Sequence, residues 1–258
     1  MRRYADNSLI QEYGCWTVWI CSGSPRTFLS SNERAQETKL VIKAMRAHSS
    51  NENLQVAGFG IINNFLALAA MIFDSVLDYI LEIISSQKNQ SSVQERACQL
   101  IYNICTKDNT KAKCIVECGG AHLITDAMKM FPEQFRVQQA ACRALAATSN
   151  VDEVSKQAVI DAGGISATME AMHKYPELRR RALQILSLLF LRNETKDAIA
   201  DENMFRAIVN DMSHPMDVTG FFYTFGFDKK MDGFGIDTLV FFMKVIKIYS
   251  STSSNHVL

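Results

Sequence analysis

The chain has 258 residues, with 27 Lys plus Arg, 27 Asp plus Glu and a formal net charge of zero. It is long enough for one large core or a stacked array, and its balanced charge argues against general nucleic-acid binding, which needs a basic excess. Four Pro and twelve Gly are too few for a chain of many turns and short strands. Ala, Leu, Ile and Met recur at helical spacing, so an all-α fold is expected.

In chain order, residues 1–31 carry no repeat pattern and read as an irregular N-terminal segment. Arg2 and Arg3 precede the apolar stretch "CWTVWIC" at 15–21, but Asp6 and Glu12 lie between them. The run is too short and too late for a signal peptide. An amphipathic helix is expected at 40–50, "LVIKAMRAHSS", followed by the uncharged run "NLQVAGFGIINNFLALAAMIF" at 53–73. Its length admits a membrane span. Asn63 and Asn64 in its middle are costly in hydrocarbon, and no membrane association is expected.

That run opens the first of four matching helices: "LQVAGFGIINNF" from Leu54, "VQERACQLIYNI" from Val93, "VQQAACRALAAT" from Val137 and "LRRRALQILSLL" from Leu178. Their starts are 39, 44 and 41 residues apart. Each begins with Leu or Val, has a small residue four on (Gly58, Ala97, Ala141, Ala182) and a large aliphatic eight on (Ile62, Ile101, Leu145, Leu186). Positions i, i+4 and i+8 share one helix face, and the small residue admits a close neighbour. A second helix precedes each: 40–50, "VLDYILEIISS" at 76–86, "AHLITDAMKMF" at 121–131 and "ISATMEAMHKY" at 165–175, with a fifth copy at 204–215.

Before two of these second helices stands a Gly-Gly pair, in "KAKCIVECGG" and "KQAVIDAGG". Such a pair can cradle a phosphate, but only after a strand, and no strand is expected. In the copy at 196–204 Asn203 stands where Gly164 stood, and Asn is the usual second choice for a left-handed residue. The pairs therefore read as corners: the first Gly ends a short helix in the left-handed conformation, and the second lets the next helix leave at a sharp angle. Residues 216–258 return to no repeat pattern and read as a divergent cap or tail. "DKKMDGFGID" within them lacks the alternating acids of a calcium loop.

A three-helix unit of about 42 residues resembles the armadillo repeat. The resemblance is carried by "CIVECGGAHLITDAM" with "VQERACQLIYNIC", and by "VIDAGGISATMEAM" after "VQQAACRALAATS"; it covers roughly 32–215. HEAT-type repeats share the architecture and stay open as the subclass. The resemblance implies a right-handed α-solenoid of about four to five repeats, a non-enzymatic role in protein binding, and a concave groove lined by the third helices. In importin-alpha each third helix typically offers a Trp six residues in and an Asn ten residues in. Here the Asn position reads Asn64, Asn103, Ala147 and Leu188, and the Trp position Gly60, Gln99, Arg143 and Gln184. Both Trp residues, 16 and 19, fall outside the repeats so aligned, which speaks against nuclear-transport cargo binding. The resemblance makes Asn64, Gln99, Asn103, Arg143 and Gln184 the candidate groove, with Arg136, Arg179, Arg180 and Arg181 a candidate basic rim for an acidic partner.

Chemistry finds no motif. No nucleophile elbow occurs. The seven Cys, an odd number, suit reduced thiols in a cytoplasmic protein, with cytoskeletal or nuclear residence left open. Cys114 and Cys118 share a helix face, but with His122 alone nearby they fall short of a zinc set. Neither metal nor cofactor is expected. The functional readings are a groove-binding scaffold with a protein partner, or a component of a larger assembly held through its ends.

Overall fold

The computed structural model describes residues 2–23, 30–65 and 73–190. The expectations for 196–204, 204–215 and 216–258 lie outside them. The described residues are helical, without strands: α1 Ser8–Ser22, α2 Ser31–Ala47, α3 Glu52–Phe65, α4 Phe73–Ser86, α5 Ser91–Cys105, α6 Asn109–Glu117, α7 Gly120–Met130, α8 Phe135–Ser149, α9 Glu153–Asp161, α10 Gly164–Lys174 and α11 Arg179–Phe190. The all-α expectation holds. The chain divides into two compact units, Met1–Ala167 and Thr168–Leu258.

Local chemistry sets the helix ends. Asn7, Ser30, Asp108 and Asp152 cap α1, α2, α6 and α9 by accepting from backbone N–H groups of the first turn, the task for which short polar side chains are preferred. Glu33 returns a bond to Ser30 and completes a capping box. The Gly-Gly corners divide their work. Gly119 and Gly163 adopt φ of 82° and 79°, the left-handed region that glycine enters without strain. Gly120 and Gly164 take ordinary φ but sit where a Cβ would lie 2.7 Å from the carbonyl oxygen of Ile115 and of Val159 respectively. The first glycine is needed for its backbone, the second for space.

In the first unit α3 packs between α1 and α5, and α5 packs on α8. The second helices α2, α4 and α7 each lie on the α3, α5 or α8 that follows, and α4 touches α7. Val93, Ala97 and Ile101 of α5, and Val137, Ala141 and Leu145 of α8, are at most 1 % exposed, so the i, i+4, i+8 rows form the seams between helices. Burying each large aliphatic contributes roughly 1.5–3 kcal/mol. The run 53–73 begins as α3, whose Leu54, Phe59, Ile61 and Ile62 are buried in this seam. Among the described residues no helix is long and apolar enough to cross a membrane.

One residue type does more than the periodicity suggests. Gln55 Nε2 donates to the carbonyls of Met45 (2.8 Å) and His48 (3.2 Å). Gln94 Nε2 donates to Ile84 (3.1 Å) and Gln87 (3.0 Å), and Gln138 Nε2 to Met128 (2.7 Å) and Phe131 (2.9 Å). All three are buried. Each satisfies one orphan carbonyl in the last turn of the preceding helix, at Met45, Ile84 or Met128, and adds a second donor to the carbonyl of His48, Gln87 or Phe131, which already accepts a backbone N–H. The Gln after each opening Leu or Val is thus a clamp between consecutive helices.

The clamp also corrects the reading of 1–31 as irregular. Gln11 Nε2 donates to the Tyr4 carbonyl at 2.7 Å, seven residues back, as in the other three. The sequence around it, "IQEYGC", parallels "VQERAC" and "VQQAAC". So α1 stands against α3 as α3 stands against α5. The sequence match and the shared packing on the next helix are common to α1, α3 and α5. Ile10, half-exposed at 37 %, matches Val93 and Val137, which are buried.

The α9 cap offers a stability test. Asp152 Oδ1 accepts from the Ser155 backbone N–H (2.9 Å) and hydroxyl (2.7 Å), and Lys113 Nζ lies 2.9 Å from Oδ2. The Ser155 hydroxyl bond, with Lys113 second, holds the Asp152 carboxyl down to about 2. Asp152→Ala is expected to cost about 1 kcal/mol in urea denaturation at neutral pH, chiefly through the lost cap, since the half-exposed ion pair adds little. A carboxyl depressed on folding stabilises above its unfolded value, near 4, and that contribution fades as pH falls towards 2. The difference between native and variant should therefore vanish in acid.

Candidate functional site

The seams leave one face of α1, α3, α5 and α8 directed away from the second helices, and the predicted site residues of the first unit fall on it. Gln99 lines a pocket of about 40 Å³ with Glu95 and Tyr102 from α5 and Arg136, Gln139, Ala140 and Arg143 from α8. The Arg143 guanidinium lies over the Tyr102 ring, 4.4 Å from its centroid, a distance at which cation–π attraction holds it. Its Nε is buried without a hydrogen-bond partner among the described residues. Arg136 is exposed at the mouth. None of the four ion pairs among the described residues involves Glu95, Arg136 or Arg143. Gln99, Arg136 and Arg143 are therefore brought together.

The asparagines behave differently. Asn103 Nδ2 donates to Asn63 Oδ1, joining α5 to α3, and Asn64 Nδ2 donates to the Ser22 hydroxyl at 2.9 Å, joining α3 to α1. Both lie on the expected face, and both spend a donor on a neighbouring helix. Gln184 and Arg179, Arg180 and Arg181 belong to the second unit, at α11. Gln184 is exposed and accepts from Arg181 Nη1 at 2.9 Å, so the two brace one another along one helix face.

The structure adds residues that lie outside the 32–215 span of the resemblance. Trp16 and Trp19 of α1 stack with centroids 4.9 Å apart. A Cβ on Gly60 would fall 2.2 Å from Cε2 of Trp19, so the indole fills the notch that this glycine leaves in α3. From there it reaches Arg96 of α5, whose guanidinium is 5.4 Å from the ring. Both Trp residues lie on α1, which packs against α3. Six residues beyond Ile10, Trp16 holds in α1 the register that Gln99 holds in α5, and Trp19 fills the space at Gly60. The signal that could have found them is the "Gln-x-x-small-Cys" string shared by residues 11–15, 94–98 and 138–142. The face thus carries a strip running from Trp16 and Trp19 over Arg96 to Tyr102 and Arg143.

No family model matches the chain, and no curated protein does. Two solved structures are similar in fold. Both are crystal structures of engineered proteins from a structural genomics consortium. One matches with a TM-score of 0.69 and 16% sequence identity over 86% of this chain and 93% of that chain. The other has a TM-score of 0.68 and 18% identity over 85% and 90%. At these identities the likeness is one of fold alone.

The thiols offer no nucleophile on this face. Cys98 and Cys142 are buried beneath it, and desolvation pushes the Cys98 thiol up to about 12, away from the thiolate form that reacts. Burial likewise lifts Cys15 and Cys105 to about 12.

Proposed function

We propose that the chain is an armadillo-type α-solenoid acting as a non-enzymatic interaction module. In this reading a protein partner in extended form lies along the third-helix face of α1, α3, α5 and α8. The observation that carries it is the strip of aromatic rings and arginines on that face. Aromatic and Arg side chains are what interfaces concentrate and hot spots favour. The sub-angstrom fit of an enzyme site is absent from the reading; recognition comes from many modest contacts along the row.

The test is affinity capture from native extract, followed by mass spectrometry, with the chain and an Arg136→Glu, Arg143→Glu double variant side by side. Partners retained by the chain should be depleted about tenfold or more on the variant, because each reversal converts attraction into repulsion at one slot. Circular dichroism and melting of the variant should match the parent. Unchanged partners on a folded variant would remove the face from consideration.

A second reading, assembly into a larger complex through the α1 end, is favoured by Leu9, Tyr13 and Ile20, which are 62 %, 67 % and 73 % exposed. Light scattering across a concentration series separates the two. A monomer at all concentrations supports the groove, and reversible growth in mass supports end-to-end association.

A further inference from the structure

The pocket between α5 and α8 is built for an anion, and the α1 end of the same face for an apolar side chain. The Arg143 guanidinium is held over the Tyr102 ring, 4.4 Å from its centroid, so its position is set before any ligand arrives, and its Nε has no hydrogen-bond partner among the described residues. A buried guanidinium nitrogen left unbonded is costly, and a planar fork is matched best by a carboxylate. Arg136 adds a second cation at the mouth, Gln99 and Gln139 add amides, and Glu95 is the one acid on the lining. At the other end Trp16 and Trp19 are half-buried rings with Tyr13 and Ile20 exposed beside them. Trp19 rests near Arg96, and Arg143 rests on Tyr102, six residues along α5.

We propose that the partner segment is an extended peptide that seats an Asp or Glu side chain between Arg136 and Arg143, and a large apolar side chain on Trp16 and Trp19. This rests on the interaction reading above. The occupant is a carboxylate rather than a phosphate ester because the slot is small and already holds the Glu95 carboxylate at its wall, which a doubly charged group would meet at higher cost.

The test is panning of a random dodecamer library displayed on phage against the full chain, in parallel with Arg136→Glu and with the Arg136→Glu, Arg143→Glu double variant. Selected peptides should carry an acid at one fixed spacing from Phe, Leu, Ile or Trp. Synthetic versions should bind at least about tenfold more weakly to either variant, and panning on the double variant should replace the acid by Lys or Arg at the same spacing. Arg136 is exposed, so its single variant keeps the test valid if the double variant unfolds. Peptides without an acid at fixed spacing, or with unchanged affinity for Arg136→Glu, overturn the proposal. If such peptides still cross-link to a photoreactive residue placed at Gln99, the face remains the binding surface and only its chemistry is misassigned. Selected peptides that never cross-link there, or no enrichment at all, overturn both.

Discussion

Replacing Gln138 by Leu is expected to destabilise the chain by about 1–3 kcal/mol. The side chain is buried and donates to the carbonyls of Met128 and Phe131 at 2.7 and 2.9 Å. Leu keeps the volume but leaves the Met128 carbonyl without a donor, while Phe131 still accepts from the Gln134 backbone N–H; one buried orphan costs about 1–3 kcal/mol. The loss should appear as a lower urea midpoint. Gln138→Glu should be at least as damaging, because a carboxylate cannot donate to either carbonyl. A loss under about 0.5 kcal/mol for Leu would mean that the second-helix ends are satisfied by water instead, and that the Gln after each opening aliphatic is incidental.

Gly60→Val should undock α1. The added Cβ would fall 2.2 Å from Cε2 and 2.4 Å from Nε1 of Trp19. An indole fixed on a helix cannot yield that distance by a small rotation, so the ring must leave the notch. Overpacking of this kind costs about 1–3 kcal/mol, and here it falls on one interface. Trp16 and Trp19 are the only tryptophans of the chain, so their emission should move to the red as both rings enter water. Gly23→Ala makes the control: a Cβ there meets nothing closer than 3.7 Å, and neither stability nor emission should change appreciably. If Gly60→Val leaves the emission unmoved, α1 does not continue the row of third helices.

The parts of this fold that were legible in the sequence are those that recur. The apolar rows at Val93, Ala97 and Ile101 and at Val137, Ala141 and Leu145 repeat at helical spacing, and the structure buries them. The corners at Gly119 and Gly163 repeat at an interval of 44 residues, and both take the left-handed backbone expected of them. What escaped was the likeness of "IQEYGC" to "VQERAC" and "VQQAAC", because the repeat was anchored on the Gly-Gly corners and the second helices, and "IQEYGC" was matched to neither. The clamp role of the glutamines is likewise invisible in periodicity, because a Gln at a buried position scores as a break in the apolar row until its carbonyl partners are seen.

The candidate site divides along the same line. Gln99, Arg136 and Arg143 were named from their register and do converge on one pocket. The partners that define their chemistry were not named. Tyr102 beneath Arg143 and Arg96 beside Trp19 are contacts between helices about 40 or more residues apart in sequence. Asn64 and Asn103 are candidate groove residues by the resemblance, and each donates to an adjacent helix. Register tells which way a side chain leaves its helix; only packing tells what it meets.

The most direct measurement of the central claim is site-specific photo-cross-linking in cells. A benzoylphenylalanine at Gln99, on the third-helix face, is compared with one at Asp126, exposed on α7. The interaction reading predicts a discrete higher-mass adduct from position 99 and none from position 126. An adduct from position 126 with none from position 99 would contradict it.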